Sequence, residues 1–355
     1  MNFVKPICSI ILFLIIISTI SVTAQIKLDV GGYIQNWVIL DQQTQQLNTD
    51  GTILEQETTG FRVRRARLTA RGNINEMFSS TIWLEFAGNG NHLLDFHVDA
   101  HIYPWLNMRA GQFIMPGQSF DTGRLVSSRL AFYERPSVTT RLATLMGYDA
   151  FRDIGMMVYG TYGNLWYGIH AGNGTGRFTQ AGSNITNRNR FGGLYGARVD
   201  YRLVDGLTLG GHLSYNSQRD VVISGREPYD RERVSYSARI ATDGFLIDNL
   251  FTQFEYLVVN VDDDVVLDVH GFYTEVGYRI TKDWHVLARI DERVEKPKIG
   301  VRTDVQQFTF GVTRYLWNDG KEIARLSLNY AFSDTNPGDL NNSALVAVLQ
   351  FRFIP

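Results

Sequence analysis

The 355-residue chain holds one cysteine, Cys8, and only 8 prolines. A single thiol excludes a disulfide framework and a cysteine-built zinc site. Lysine is scarce too: Lys5, Lys27, Lys282, Lys296, Lys298 and Lys321 are all there is, so arginine supplies most of the positive charge. Neither sign of charge dominates. The 34 Lys+Arg stand against 36 Asp+Glu, and a net charge of −2 excludes bulk attraction to nucleic acid. Beyond residue 24 no stretch reaches the ~18 consecutive apolar residues of a membrane helix. What is present is a hydrophobic share of 44%, too high for a disordered chain, and 17 Tyr, 21 Phe and 6 Trp, which favour strands.

The N-terminus reads as an export signal. A short basic start, Met1–Lys5, precedes the apolar run Ile7–Ile20 and then Ser21-Val22-Thr23-Ala24, with small residues where a signal peptidase cuts. Residues 1–24 are therefore expected to be a cleaved signal peptide and 25–355 one domain. An exported chain without a membrane helix has three destinations: periplasm, medium, or an outer membrane that accepts β-barrels.

Period-two alternation fills the rest. Leu94, Phe96, Val98, Ala100 and Ile102 alternate with Asp95, His97, Asp99, His101 and Tyr103. Leu345, Ala347, Leu349, Phe351 and Phe353 make the apolar face of a last strand. Sixteen strands are predicted, at 27–39, 60–72, 78–86, 93–103, 106–113, 151–161, 164–171, 191–202, 206–216, 232–241, 249–259, 268–280, 283–291, 302–314, 322–332 and 343–353. Most match the ~9–11 residues that a tilted strand needs to cross a bilayer. The connections alternate long and short, the pattern of an outer-membrane barrel with short periplasmic turns and longer outer loops. The expectation is all-β: a transmembrane antiparallel β-barrel of 16 strands in a Gram-negative outer membrane, too wide for side chains to fill and so enclosing an aqueous channel.

The wet face carries arginine. In 61-FRVRRARLTARG-72, Arg65, Arg67, Thr69 and Arg71 fall on one face of a strand, and Ala66, Leu68 and Ala70 on the other. An arginine at the lipid-facing midplane costs ~2–4 kcal/mol, so the three arginines are assigned to the lumen. The same parity puts Arg109 inside. The longest connection, 114–150 between strands five and six, carries Arg124, Arg129, Arg135 and Arg141 against Asp121, Glu134 and Asp149. A loop of this length is usually functional, and it is expected to fold inward and narrow the lumen. Guanidinium forks suit oxyanions, and several weak sites allow passage where one tight site would block it.

Catalytic alternatives are weak. His97 and His101 would lie about 13 Å apart on a strand, too far to share a metal. Gly172-Asn173-Gly174-Thr175-Gly176 has no helix after it and lacks the context of a nucleotide loop. An outer-membrane lipase lacks a GxSxG turn, and a secreted or surface β-sheet binding protein does not need such alternating loops. No enzymatic activity, cofactor, metal or nucleic-acid partner is expected. The expected partners are outer-membrane lipid and small anionic solutes.

Together, 61-FRVRRARLTARGNI-74, the segment Ala110-Gly111-Gln112-Phe113 with Pro116, the run 128-SRLAFYERP-136, Arg152-Asp153-Ile154-Gly155, Asn173-Gly174 and Ala197-Arg198-Val199 resemble the phosphate-selective porin O and P family, collinearly over residues 27–353. The resemblance implies a homotrimeric porin with an arginine-lined constriction. It also implies an anion path through Arg65, Arg67, Arg71 and the loop arginines, open to phosphate. A detergent-extracted sample is expected to change gel mobility on heating, as a folded barrel unwinds. A protein that stays dissolved without detergent and migrates alike before and after boiling would contradict the barrel.

Overall fold

Alternating apolar and polar rows need two different solvents, and the chain provides them by closing one sheet on itself. The computed structural model describes residues 27–47, 52–88, 93–117, 132–148, 151–177, 193–221, 229–263, 266–297, 300–336 and 340–353. The expected signal peptide lies outside the described residues, as do Arg124 and Arg129. The strands are β1 Lys27–Leu47, β2 Ile53–Asn73, β3 Phe78–Glu85, β4 Leu93–Tyr103, β5 Leu106–Ile114, β6 Arg152–Tyr162, β7 Leu165–Gly172, β8 Gly193–Val204, β9 Leu207–Val221, β10 Tyr229–Asp243, β11 Leu250–Asp263, β12 Val266–Arg279, β13 Trp284–Lys296, β14 Thr303–Asn318, β15 Lys321–Asn336 and β16 Leu340–Phe353. Among the described residues one helix, α1 (Ser137–Leu145), lies between β5 and β6.

Each strand pairs antiparallel with its sequence neighbours, and β1 pairs with β16 from Gly32↔Phe353 to Gln43↔Ser343, closing the barrel. Closure leaves no edge of unpaired backbone groups, which hydrocarbon would not tolerate. The turns at one end are short. Between β14 and β15 it is Asp319-Gly320, both with positive φ (49° and 76°), the two-residue turn whose twist suits a tight hairpin.

The two faces separate as expected. On β15, Arg325, Ser327, Asn329 and Ala331 are buried on the lumen side, while Leu326, Leu328, Tyr330 and Phe332 face outward, each at least 40% exposed. All sixteen predicted strands are present, and several run further towards the long-loop end than alternation indicated. The β1–β2 ribbon is the clearest case. Gln42↔Thr58 through Leu47↔Ile53 remain paired, although 42-QQTQQ-46 has no apolar face to signal a strand, because above the membrane both faces meet water.

One irregularity matters for the lumen. The β1–β2 register runs Gln35↔Arg65 and then Asn36↔Val63, so Arg64 is an extra residue. This β-bulge reverses the parity beyond it. Leu328→Arg, which puts a cation into the outward row, is expected to lower stability by ~2–4 kcal/mol in urea titrations of the protein in lipid vesicles. No loss would mean that this row does not face lipid.

Candidate functional site

The bulge gathers four arginines on one side of the wall. Arg62 pairs across the sheet with Trp37, whose side chain is buried inside the barrel, so Arg62 faces the lumen. Phe61 and Val63 face outward, with Phe61 89% exposed. The Arg62 and Arg64 guanidiniums lie over the Trp37 ring at 5.7 and 5.1 Å. Arg65 is buried and donates through Nη1 to Gln35 Oε1 at 2.6 Å. Arg67 donates to Glu85 Oε2 at 2.6 Å and sits 5.8 and 5.5 Å from the rings of Tyr33 and Trp83. Aromatic rings thus stand behind Arg62, Arg64 and Arg67, and of these Arg67 is also paired with a carboxylate.

The described residues 132–148 of the connection between β5 and β6 fold into the barrel opposite this row. Val138, Thr139, Leu142 and Ala143 form the buried face of α1, which packs on β11, β12 and β13 among Leu257, Val259, Val269 and Tyr273. Helix propensity alone does not explain SVTTRLATL, which is short and rich in threonine. The wall supplies what is missing. Asp291 on β13 accepts from the Ser137 backbone N–H at 2.9 Å and from its hydroxyl at 2.5 Å, a carboxylate at the helix N-terminus where the dipole favours it. Arg141 forms a two-point bond with Glu295, at 2.9 and 2.7 Å. At the other end Asn216 Nδ2 donates to the Met146 carbonyl at 2.6 Å. Gly147 follows with φ 85°, where a Cβ would meet the Gly174 carbonyl.

Glu134 spans the gap between the two walls. Its carbonyl accepts from Arg289 on β13 at 2.8 Å, and its carboxylate pairs with Arg64 on β2 at 3.2 Å. Beside it Tyr133 packs edge-on against Trp37 with ring centroids 5.4 Å apart, over an apolar patch made by Val346 and Val348. Tyr133 and Glu134 therefore bridge the lumen between β13 and the β1–β2 side.

The residues singled out from sequence divide into groups. Arg65 and Arg67 stand in the row. Arg135 lies in the inward loop 4.6 Å from the Phe151 ring. Burial, reinforced by the charges of Arg65, Arg67 and Arg152 and opposed by Glu134, pushes its guanidinium down to about 9, which leaves it cationic at neutral pH. Arg109 is bonded to Asp99 at 2.7 Å and lies between Phe113 and Tyr159. Arg71 is exposed opposite Asp29, towards the short-turn end and away from the loop. Arg141 points at Glu295, so its role is to dock the loop. Asp95, in the polar row of β4, is held by Arg152 in a two-point pair at 2.7 and 3.0 Å.

Parity reasoning missed Arg62 and Arg64, because strict alternation sends both to the lipid side. The adjacent pair Arg64-Arg65 was the available signal. Two consecutive arginines in a membrane strand cannot both face water unless the strand bulges. Glu134 was noted only as part of the loop's charge balance, since its reach across the lumen depends on tertiary structure.

The charge pattern is uneven. Asp291 and Glu295 on the β13 wall are engaged by the loop and by Arg289 and Arg293. On the β2 side Arg67 is matched by Glu85. Arg64 is matched by Glu134 in a partly exposed pair, the kind that contributes little and exchanges readily with ions in solution. Between loop and row the described residues thus place more guanidinium than carboxylate groups.

The sequence matches a family described as Gram-negative porin over residues 12–337. Comparison with curated proteins finds no match. Among solved structures, an anion-selective porin from Comamonas acidovorans aligns with a TM-score of 0.65 at 13% identity, covering 93% of this chain and 100% of that one. The trimer form of OmpT from Vibrio cholerae gives 0.63 at 12% identity, covering 92% and 99%. The outer-membrane channel DcaP of Acinetobacter baumannii gives 0.59 at 11%, covering 93% and 97%. At these identities the likeness is one of fold.

Asp291→Ala removes the acceptor that caps α1. It is expected to cost about 1–2 kcal/mol of loop docking and to raise both the mean conductance and the current noise of single channels. Conductance and noise like those of the unaltered protein would show that the loop does not depend on this anchor.

Proposed function

This chain belongs to the Gram-negative porin family, and we propose that it passes small hydrophilic solutes across the outer membrane with a preference for anions. A porin is a passive channel rather than an enzyme, and its selectivity comes from the charges and the width of its narrowest part. The observation that carries the reading is the four-arginine row Arg62, Arg64, Arg65 and Arg67 facing the inward loop, with Arg135 on the loop adding to the same field. Oxyanions, phosphate among them, fit this row best, because guanidinium can offer two parallel donors to two oxygens. Ring-backed arginines beside a solvated path hold an anion weakly, as passage requires. The functional unit is a homotrimer, a reading supported by the trimer form of the Vibrio cholerae neighbour.

Planar-bilayer recording in a potassium chloride gradient tests the preference. The reversal potential is expected to have the sign of chloride selectivity, and a cation-selective potential would overturn the reading. Each solvated lumen charge is worth ~0.2–1 kcal/mol, so removing two, Arg62→Ala with Arg64→Ala, is expected to lower the chloride-to-potassium permeability ratio by roughly two- to thirtyfold. Glu134→Gln is expected to raise it. Ratios unmoved by either change would mean that ions do not pass this row. Phosphate added to one side is expected to reduce the chloride current in the unaltered channel more than in the double arginine variant.

A further inference from the structure

Arg314 stands on the face of the barrel where a cation is least at home. It shares the outward row of β14 with Phe310, Val312 and Leu316, each more than 40% exposed, and is itself exposed. Its cross-strand neighbours are Trp284 on β13 and Leu326 on β15, both outward. The guanidinium lies 5.5 Å from the centroid of the Trp284 ring. Among the described residues no carboxylate forms an ion pair with it. Arg64 on β2, Arg109 on β5, Arg198 on β8 and Arg289 on β13, by contrast, turn into the lumen and find ring or carboxylate partners there.

An outward arginine bordered by apolar side chains needs an anion from outside the protein. Its depth identifies the source. Arg314 lies four residues before the end of β14 at Asn318, beside the Asp319-Gly320 turn, at the short-turn end. In barrels of this kind the short turns are periplasmic, so the residue sits at the headgroup level of the inner leaflet. Outward Tyr278 and Trp284 mark the same level on β12 and β13, as aromatic residues do at a membrane interface. Above it, Phe310, Val312 and Leu328 form a continuous apolar wall along which acyl chains can lie.

We propose that Arg314 and Trp284 form a binding site for the phosphate group of an inner-leaflet glycerophospholipid. The guanidinium donates two hydrogen bonds to phosphate oxygens. The indole covers one face of the cation and shields the contact from water, which strengthens it. The site lies on the outer wall, is separate from the lumen arginines, and does not depend on the solute that the channel carries.

The test uses the full-length protein reconstituted into phosphatidylglycerol vesicles and re-extracted in mild detergent, with retained phospholipid counted per protomer by native mass spectrometry. Folding of each variant is checked by heat-dependent gel mobility. The unaltered protein is expected to retain phospholipid. Arg314→Gln is expected to lower retention by about fivefold, the effect of one interfacial cation, Trp284→Leu to lower it less, and Arg314→Lys to keep most of it. Equal retention by a folded Arg314→Gln variant would overturn the proposal. So would displacement of the lipid by millimolar inorganic phosphate, which would make free phosphate the ligand. Loss of the oligomer in Arg314→Gln with retention unchanged would place the residue at a contact between copies of the chain, and would overturn it as well.

Discussion

Hydrocarbon offers no hydrogen bonds, and that fact organises the molecule. Each backbone donor and acceptor in the membrane-facing wall must find its partner within the wall, and the pairing of β1 with β16 meets this requirement for the sheet as a whole. A closed wall sorts side chains by parity into a row that meets oil and a row that meets water. Everything that gives the interior its character, from the buried Arg65 to the outward Leu328, follows from which row a residue occupies.

The wall also makes the interior lopsided. On the β13 side, carboxylates are spent on holding the loop: Asp291 caps α1 and Glu295 grips Arg141. On the β2 side, rings stand behind Arg62, Arg64 and Arg67, and two carboxylates, Glu85 and Glu134, face four arginines. On the proposed reading, docking and anion preference are two consequences of one distribution of charge: a loop anchored by its cation to an acidic wall leaves the basic wall free to meet the solute. The bulge at Arg64 adds to this by turning two more guanidiniums inward at the cost of one unpaired position in the ladder.

Much of the architecture was legible in the sequence, because alternation is enforced wherever one face touches lipid. β4, for instance, was predicted with the bounds that the structure gives it. Where that enforcement stops, so does legibility. The glutamine-rich top of β1 is a strand above the membrane with polar residues on both faces. The inward loop was legible from its length, but α1 was not. Its helical form comes from Asp291, about 150 residues away in sequence, and from an apolar bed on β11–β13. Half of the arginine row was legible as well. Arg65 and Arg67 follow simple parity, while Arg62 and Arg64 reach the lumen only through a register shift that alternation cannot register.

The most direct measurement of this account is a cysteine scan through residues 61–65, which is clean because Cys8 is the chain's only thiol. Single cysteines at each position would be exposed, in the assembled membrane protein, to a negatively charged, membrane-impermeant thiol reagent while channel current is followed. The expected result is modification with loss of current at Arg62→Cys and Arg64→Cys, with Phe61→Cys and Val63→Cys inert. Reaction at Phe61→Cys and Val63→Cys, with Arg62→Cys and Arg64→Cys silent, would mean that the strand keeps strict alternation and that the row does not face the pore.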